Sequence, residues 1–176
     1  MVYTTSFSKP RPESESENTD LWYAAKNGNC PLLEQCSQDE EYFQEYLDKG
    51  HLFKGDIYTP LQIAIAHRET EAASFLIEQG AELDYTMGNG DTLLHMTVQY
   101  KLFGIARELL EHGANVDTRN DLGETPLYLA VWNNKLNFVE LFVDHDADPN
   151  ALAINDSTPL SIATRWENGE VLEKMQ

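Results

Sequence analysis

The sequence predicts an all-α solenoid of about five stacked repeats, and three observations carry that prediction. Thr59-Pro60-Leu61, Thr92-Leu93-Leu94, Thr125-Pro126-Leu127 and Thr158-Pro159-Leu160 recur at intervals of 33 residues, the signature of a stack in which each unit buries its apolar face against the next. Behind each opening, apolar residues fall three and four apart, as they do along one face of a helix. Glycine then closes the second apolar run, at Gly80 and Gly113, where a helix end takes a left-handed backbone.

The elements follow in order. Residues 1–18, with Lys9-Pro10-Arg11-Pro12 and alternating serine and glutamate, hold too few apolar side chains to offset their ordering entropy and read as a flexible arm. Residues 19–58 form an irregular N-terminal capping repeat. Leu21 to Ala25 begin its first helix, but Thr19 precedes Thr59 by 40 residues. The seven extra residues lengthen or split the second helix, ahead of a shortened loop at residues 50–58.

Residues 59–91, 92–124 and 125–157 are regular repeats. In the first of them Pro60 opens a helix, where its missing N–H would be unpaired anyway, and Ile63, Ala64 and Ala66 continue it. A second helix from about Glu69 buries Ala72, Phe75, Leu76 and Ile77 and is followed by an extended finger at residues 81–91. The same order returns through Leu94, Met96, Leu109 and Leu110, and again through Leu127, Ala130, Val139, Leu141 and Phe142. Residues 158–176 are a C-terminal capping repeat. Leu61, Leu94, Leu127 and Leu160 share one core position.

This pattern resembles the ankyrin repeat, whose consensus opens Thr-Pro-Leu-His-x-Ala and reaches Gly-Ala-Asp-x-Asn after the second helix. His112-Gly113-Ala114-Asn115-Val116-Asp117, Gln79-Gly80-Ala81-Glu82-Leu83-Asp84 and Asp148-Pro149-Asn150 carry the match, which covers residues 59–157. The resemblance implies a concave face lined by finger tips and by the outward ends of the first helices. The helix ends supply His67, Gln99, Tyr100, Trp132, Asn133, Arg165 and Trp166; the fingers supply Tyr58, Asn89, Asp91, Asp121, Leu122, Glu124, Ile154 and Asn155. It also assigns His95 an architectural role, tying one repeat to the next, and Gln62, Tyr128 and Ser161 lose or remodel that tie. Asp146 stands in the left-handed glycine position, and Trp22 belongs to the N-terminal cap.

Composition narrows the function. Thirty acidic residues against 12 Lys and Arg give a net charge of −18, which disfavours direct contact with nucleic-acid phosphates or anionic membranes and favours a basic protein partner. Cys30 and Cys36 do not have the spacing of a redox pair or a structural zinc pair. The start lacks a basic stretch followed by an apolar run, so the chain reads as a protein of a reducing, cytoplasmic compartment. Asp144-His145-Asp146-Ala147-Asp148 follows from a helix end running into a finger, with side chains diverging, so neither a metal nor another cofactor is expected. No phosphate loop, nucleophile elbow or His-Glu-x-x-His occurs, and an enzyme is the least favoured reading. The preferred one is a protein, monomeric when unbound, that docks an acidic, aromatic-studded face on a basic enzyme or toxin and neutralises it. An adaptor that tethers partners is the alternative.

Overall fold

The computed structural model describes residues 20–175, so the expected arm at residues 1–18 lies outside the described residues. Five helix pairs stack in two layers. The first helices are α1 (Asp20–Lys26), α4 (Pro60–His67), α6 (Leu93–Tyr100), α8 (Pro126–Trp132) and α10 (Pro159–Arg165), and each packs on the next. The second helices are α2 (Cys30–Ser37), α5 (Thr70–Glu78), α7 (Phe103–Glu111), α9 (Leu136–Val143) and α11 (Gly169–Lys174), which form the outer layer. The first repeat adds α3 (Glu40–Tyr46) and two strands, β1 (His51–Phe53) and β2 (Asp56–Tyr58).

The recurring threonine sets where each first helix begins. Thr59, Thr125 and Thr158 each accept the backbone N–H three residues ahead, from Gln62, Tyr128 and Ser161 at 3.1–3.2 Å, satisfying a donor the helix itself leaves open. Small residues at Ala64, Ala130 and Ala163 are fully buried and let the layers close. Thr97 takes that place in α6 and returns its hydroxyl to the Leu94 carbonyl at 2.7 Å. Gly80 and Gly113 have φ of +82° and +91°, and Asp146 holds the same left-handed shape at +62°.

The core is continuous through the stack. Leu61, Leu94 and Leu127 are buried as expected, whereas Leu160 is only half-buried. The described residues place a first helix on both sides of the other three leucines, but only α8 against α10.

The 40-residue repeat solves its excess by splitting. Asn29 caps α2 through Leu32 N–H, and Asp39 caps a separate α3 through Tyr42 N–H, both at 3.2 Å. The expected loop at residues 50–58 is instead an antiparallel hairpin pairing His51 with Tyr58, Leu52 with Ile57 and Phe53 with Asp56. Lys54 and Gly55, with φ of +54° and +101°, make the two-residue turn whose twist suits paired strands. Trp22 packs under this hairpin, its ring 5.5 Å from that of Phe53 and its Nε1 donating to the Tyr58 carbonyl at 3.1 Å.

Candidate protein-binding surface

The later fingers are five-residue loops, each closed on itself. Met87 N–H donates to the Asp91 carbonyl at 2.8 Å, Asn120 N–H to that of Glu124 at 3.0 Å, and Ala153 N–H to that of Ser157 at 2.9 Å. Each finger also bonds to the next: Asp121 N–H meets the Asn89 carbonyl at 3.1 Å, and Ile154 N–H meets that of Leu122 at 2.9 Å. These bonds fix the row of tips that carries Asn89, Asp121, Leu122, Ile154 and Asn155.

Glycine makes that approach possible. At Gly90, φ is +78°, and a β-carbon would stand 2.6 Å from the Asp121 backbone nitrogen; Gly123, at +72°, is similarly covered by Ala153 and Ile154. One interval earlier the same position is Ile57, a β-branched residue for which a left-handed backbone is strongly disfavoured. Its finger is the hairpin, turned at Lys54-Gly55 instead. Among the described residues no backbone bond joins Gly88 to Asp56, the pair equivalent to Asp121 and Asn89.

The row therefore opens at its first junction. A depression of about 400 Å³ lies there, between Tyr58, Asn89, Asp91, Gln99 and Tyr100, with Asp56, Met87, Gly88 and Met96 completing it. Five of the expected contact residues thus meet in one place. Met87 and Met96 in its walls are not among the residues expected from the sequence, whereas the alignment of Ile57 with Gly90 and Gly123 marks the gap in the sequence itself. Burial, reinforced by the Asp56 carboxylate and the Tyr100 phenol, raises the Tyr58 phenol above its ordinary value.

At the other end of the face, Trp132 and Trp166 stand 5.2 Å apart between ring centroids, with 53% and 43% of their surfaces exposed. The Trp132 ring also lies nearly parallel to that of Tyr128, which is buried. The pair is thus braced from within. Leu122 and the 70%-exposed Ile154 add apolar tips to this half. Arg165 is exposed beside it, while Asn133 turns back to donate to the Leu129 carbonyl at 2.8 Å.

Not every expected contact residue faces outward. Asp91 is only 4% exposed; its carboxylate accepts amide hydrogens from Asn89 and Asn120, each at 2.8 Å, and from Gln99 at 3.4 Å. It bridges two fingers. The half-buried Glu124 carboxylate likewise accepts from Asn120, whereas Asn155 stays exposed while its amide donates to Tyr128 Oη at 3.0 Å. His67 is exposed but sits apart, facing the Phe53 ring at 5.8 Å. Partial desolvation, with Lys26 and Lys54 adding to it, lowers the His67 pKa.

His95 has the architectural role assigned to it. Its Nδ1 accepts the Thr92 N–H at 3.1 Å, and its Nε2 reaches the Glu124 carbonyl of the next finger at 2.9 Å. Gln62 copies the first bond, Oε1 accepting from Thr59 N–H at 2.8 Å, but its buried Nε2 finds no partner. Tyr128 remodels the tie by running its hydroxyl to Ser157 Oγ at 2.9 Å. Ser161 is too short to leave its own cap, and pairs with Thr158.

A family model for ankyrin repeats in three copies matches residues 21–120, and a second, for ankyrin repeats in many copies, matches residues 109–163. The chain belongs to the ankyrin-repeat family. The first match covers the irregular repeat as well as the regular ones. None of the curated proteins compared with it matches this ankyrin-repeat chain. Ankyrin repeats are protein–protein interaction modules and are generally non-enzymatic. Among the described residues, no helix is long and apolar enough to cross a membrane, and no group of three or more His, Cys, Asp or Glu side chains could hold a metal ion.

Proposed function

We propose that this ankyrin-repeat protein binds a basic protein through its concave face and blocks that partner's activity, without catalysing a reaction itself. The observation that carries the reading is the braced pair Trp132 and Trp166, half-exposed on the face where the first helices end. Large rigid aromatic rings are the side chains that dominate protein interfaces, and here the supporting Tyr128 ring limits the entropy lost on binding. The net charge of −18 speeds encounter with a basic partner and disfavours acidic ones.

The test begins with affinity capture from the native extract at low and raised salt. The recovered partner is then titrated against wild-type protein, Tyr100→Ala and Trp132→Ala. Loss of about tenfold or more in affinity for Trp132→Ala is expected for an anchor of this kind; equal affinities would move the site elsewhere. The partner's own activity decides between blocking and tethering. An adaptor is favoured by one observation: the outer helices carry a groove of about 610 Å³ bordered by Cys30, Glu71, Phe75 and Gly104, which offers a second surface on the opposite side. An adaptor leaves the bound partner's activity intact.

A further inference from the structure

We propose that the depression at the first finger junction is a socket for one arginine side chain of the partner, its guanidinium held by Asp56 and Gln99 between the rings of Tyr58 and Tyr100. The proposal rests on the concave-face reading and adds what that face selects.

Charge gives the sign of the occupant. Asp56 and Asp91 both line the depression, and no lysine, arginine or histidine does. Asp91 is buried, and its carboxylate accepts from the neutral side-chain amides of Asn89, Asn120 and Gln99. A buried carboxylate held by neutral amide dipoles keeps a negative potential at the adjoining surface. The two ion pairs among the described residues, Lys49 with Glu45 and Lys174 with Glu140, lie elsewhere.

Shape and chemistry give its kind. Gln99 turns its amide nitrogen to Asp91 at 3.4 Å, which leaves its oxygen as an acceptor for a ligand. The Asp56 carboxylate lies beside Gly88, 3.5 Å from where a β-carbon would stand, and it is exposed. A planar guanidinium can take a carboxylate and an amide oxygen together and still lie against a phenol ring, whereas an ammonium is compact and strongly hydrated. Met87 and Met96 supply apolar, adaptable wall for the aliphatic stem. The volume, about 400 Å³, admits one long side chain but is small among ligand pockets.

The experiment titrates the isotope-labelled full chain with Nα-acetyl-arginine amide, and with the lysine and citrulline analogues, while amide chemical shifts are followed. Arginine is expected to shift Gly88, Asn89, Gln99 and Tyr100 saturably, with a Kd on the order of millimolar as befits a single side chain. Citrulline, which keeps the shape and loses the charge, is expected to bind at least about tenfold more weakly, and Asp56→Asn to weaken arginine about fivefold while leaving the unliganded spectrum unchanged beyond the hairpin. Equal binding of citrulline or lysine, non-saturating shifts spread over the acidic surface, or an unaffected Asp56→Asn would each overturn the socket. Failure here with partner affinity still lost in Trp132→Ala removes the socket alone. Partner affinity indifferent to Trp132→Ala removes the wider reading whether or not arginine binds.

Discussion

The first finger junction and the second are built from the same positions one interval apart, yet one is open and the other closed. At the second, Gly90 permits the left-handed turn, Asp121 N–H reaches Asn89, and His95 ties its helix to Glu124. At the first, Ile57 directs the chain into a hairpin, no backbone bond among the described residues joins Gly88 to Asp56, and Gln62 keeps the bond within its own repeat. Two positions per repeat, a glycine that allows close approach and a side chain that bridges, decide whether the finger row is continuous. Where both are replaced, the surface gains a depression.

His95→Ala has the largest expected effect. It strips partners from the Thr92 N–H and the Glu124 carbonyl in a buried setting, at an expected cost of about 3 kcal/mol in urea unfolding. Gly90→Val forces a β-branched residue into positive φ against the Asp121 backbone and is expected to cost about 2 to 3 kcal/mol; Ile57→Val, at the matching but exposed position, is expected to change stability by less than about 0.5 kcal/mol. Equal effects at the two sites would remove the distinction between the junctions.

Two replacements repair departures from the repeat pattern. Asp146→Gly relieves a left-handed aspartate and is expected to raise stability by up to about 1 kcal/mol; a lower thermal midpoint with the fold intact would count against the helix-end assignment. Gln62→His restores a ring nitrogen directed at the next finger and is expected to stabilise by about 0.5 to 1 kcal/mol. No gain would mean that the open junction has moved its carbonyl out of reach.

The smallest effect is on pH. Burial lowers the His95 pKa, outweighing the Glu124 carbonyl and Asp91, which act the other way. Because the folded state holds the proton less firmly than the unfolded chain, the stability that neutral His95 provides is complete above the unfolded value of about 6.5 and declines as pH falls below it. His95→Gln removes this titration, so the stability gap between wild type and variant should narrow on acidification from pH 7. A gap independent of pH would contradict a neutral, bridging imidazole.

The regular repeats were legible because their code is local and repeated. Thr59, Thr125 and Thr158 mark helix starts, Gly80 and Gly113 mark helix ends, and the apolar spacing orients each helix toward the core. The first repeat was less so: its additional residues had no register to follow, and the hairpin depends on the Lys54-Gly55 turn and on Trp22 packing beneath it. Position along the period placed Tyr58, Asn89, Gln99 and Tyr100 on one face, but it could not show that Asp91 turns inward, since that follows from amides on two different fingers. Leu160 departed from its equivalents for a related reason. Its burial depends on a neighbour and not on its own repeat.

We place the partner on the finger row and the first-helix ends. Hydrogen exchange of the chain alone and saturated with its captured partner tests this directly. Protection is expected in residues 87–91, 120–124 and 153–157 and around Tyr100, Trp132 and Trp166, with the outer helices α5, α7 and α9 unchanged. Protection confined to those outer helices would contradict it.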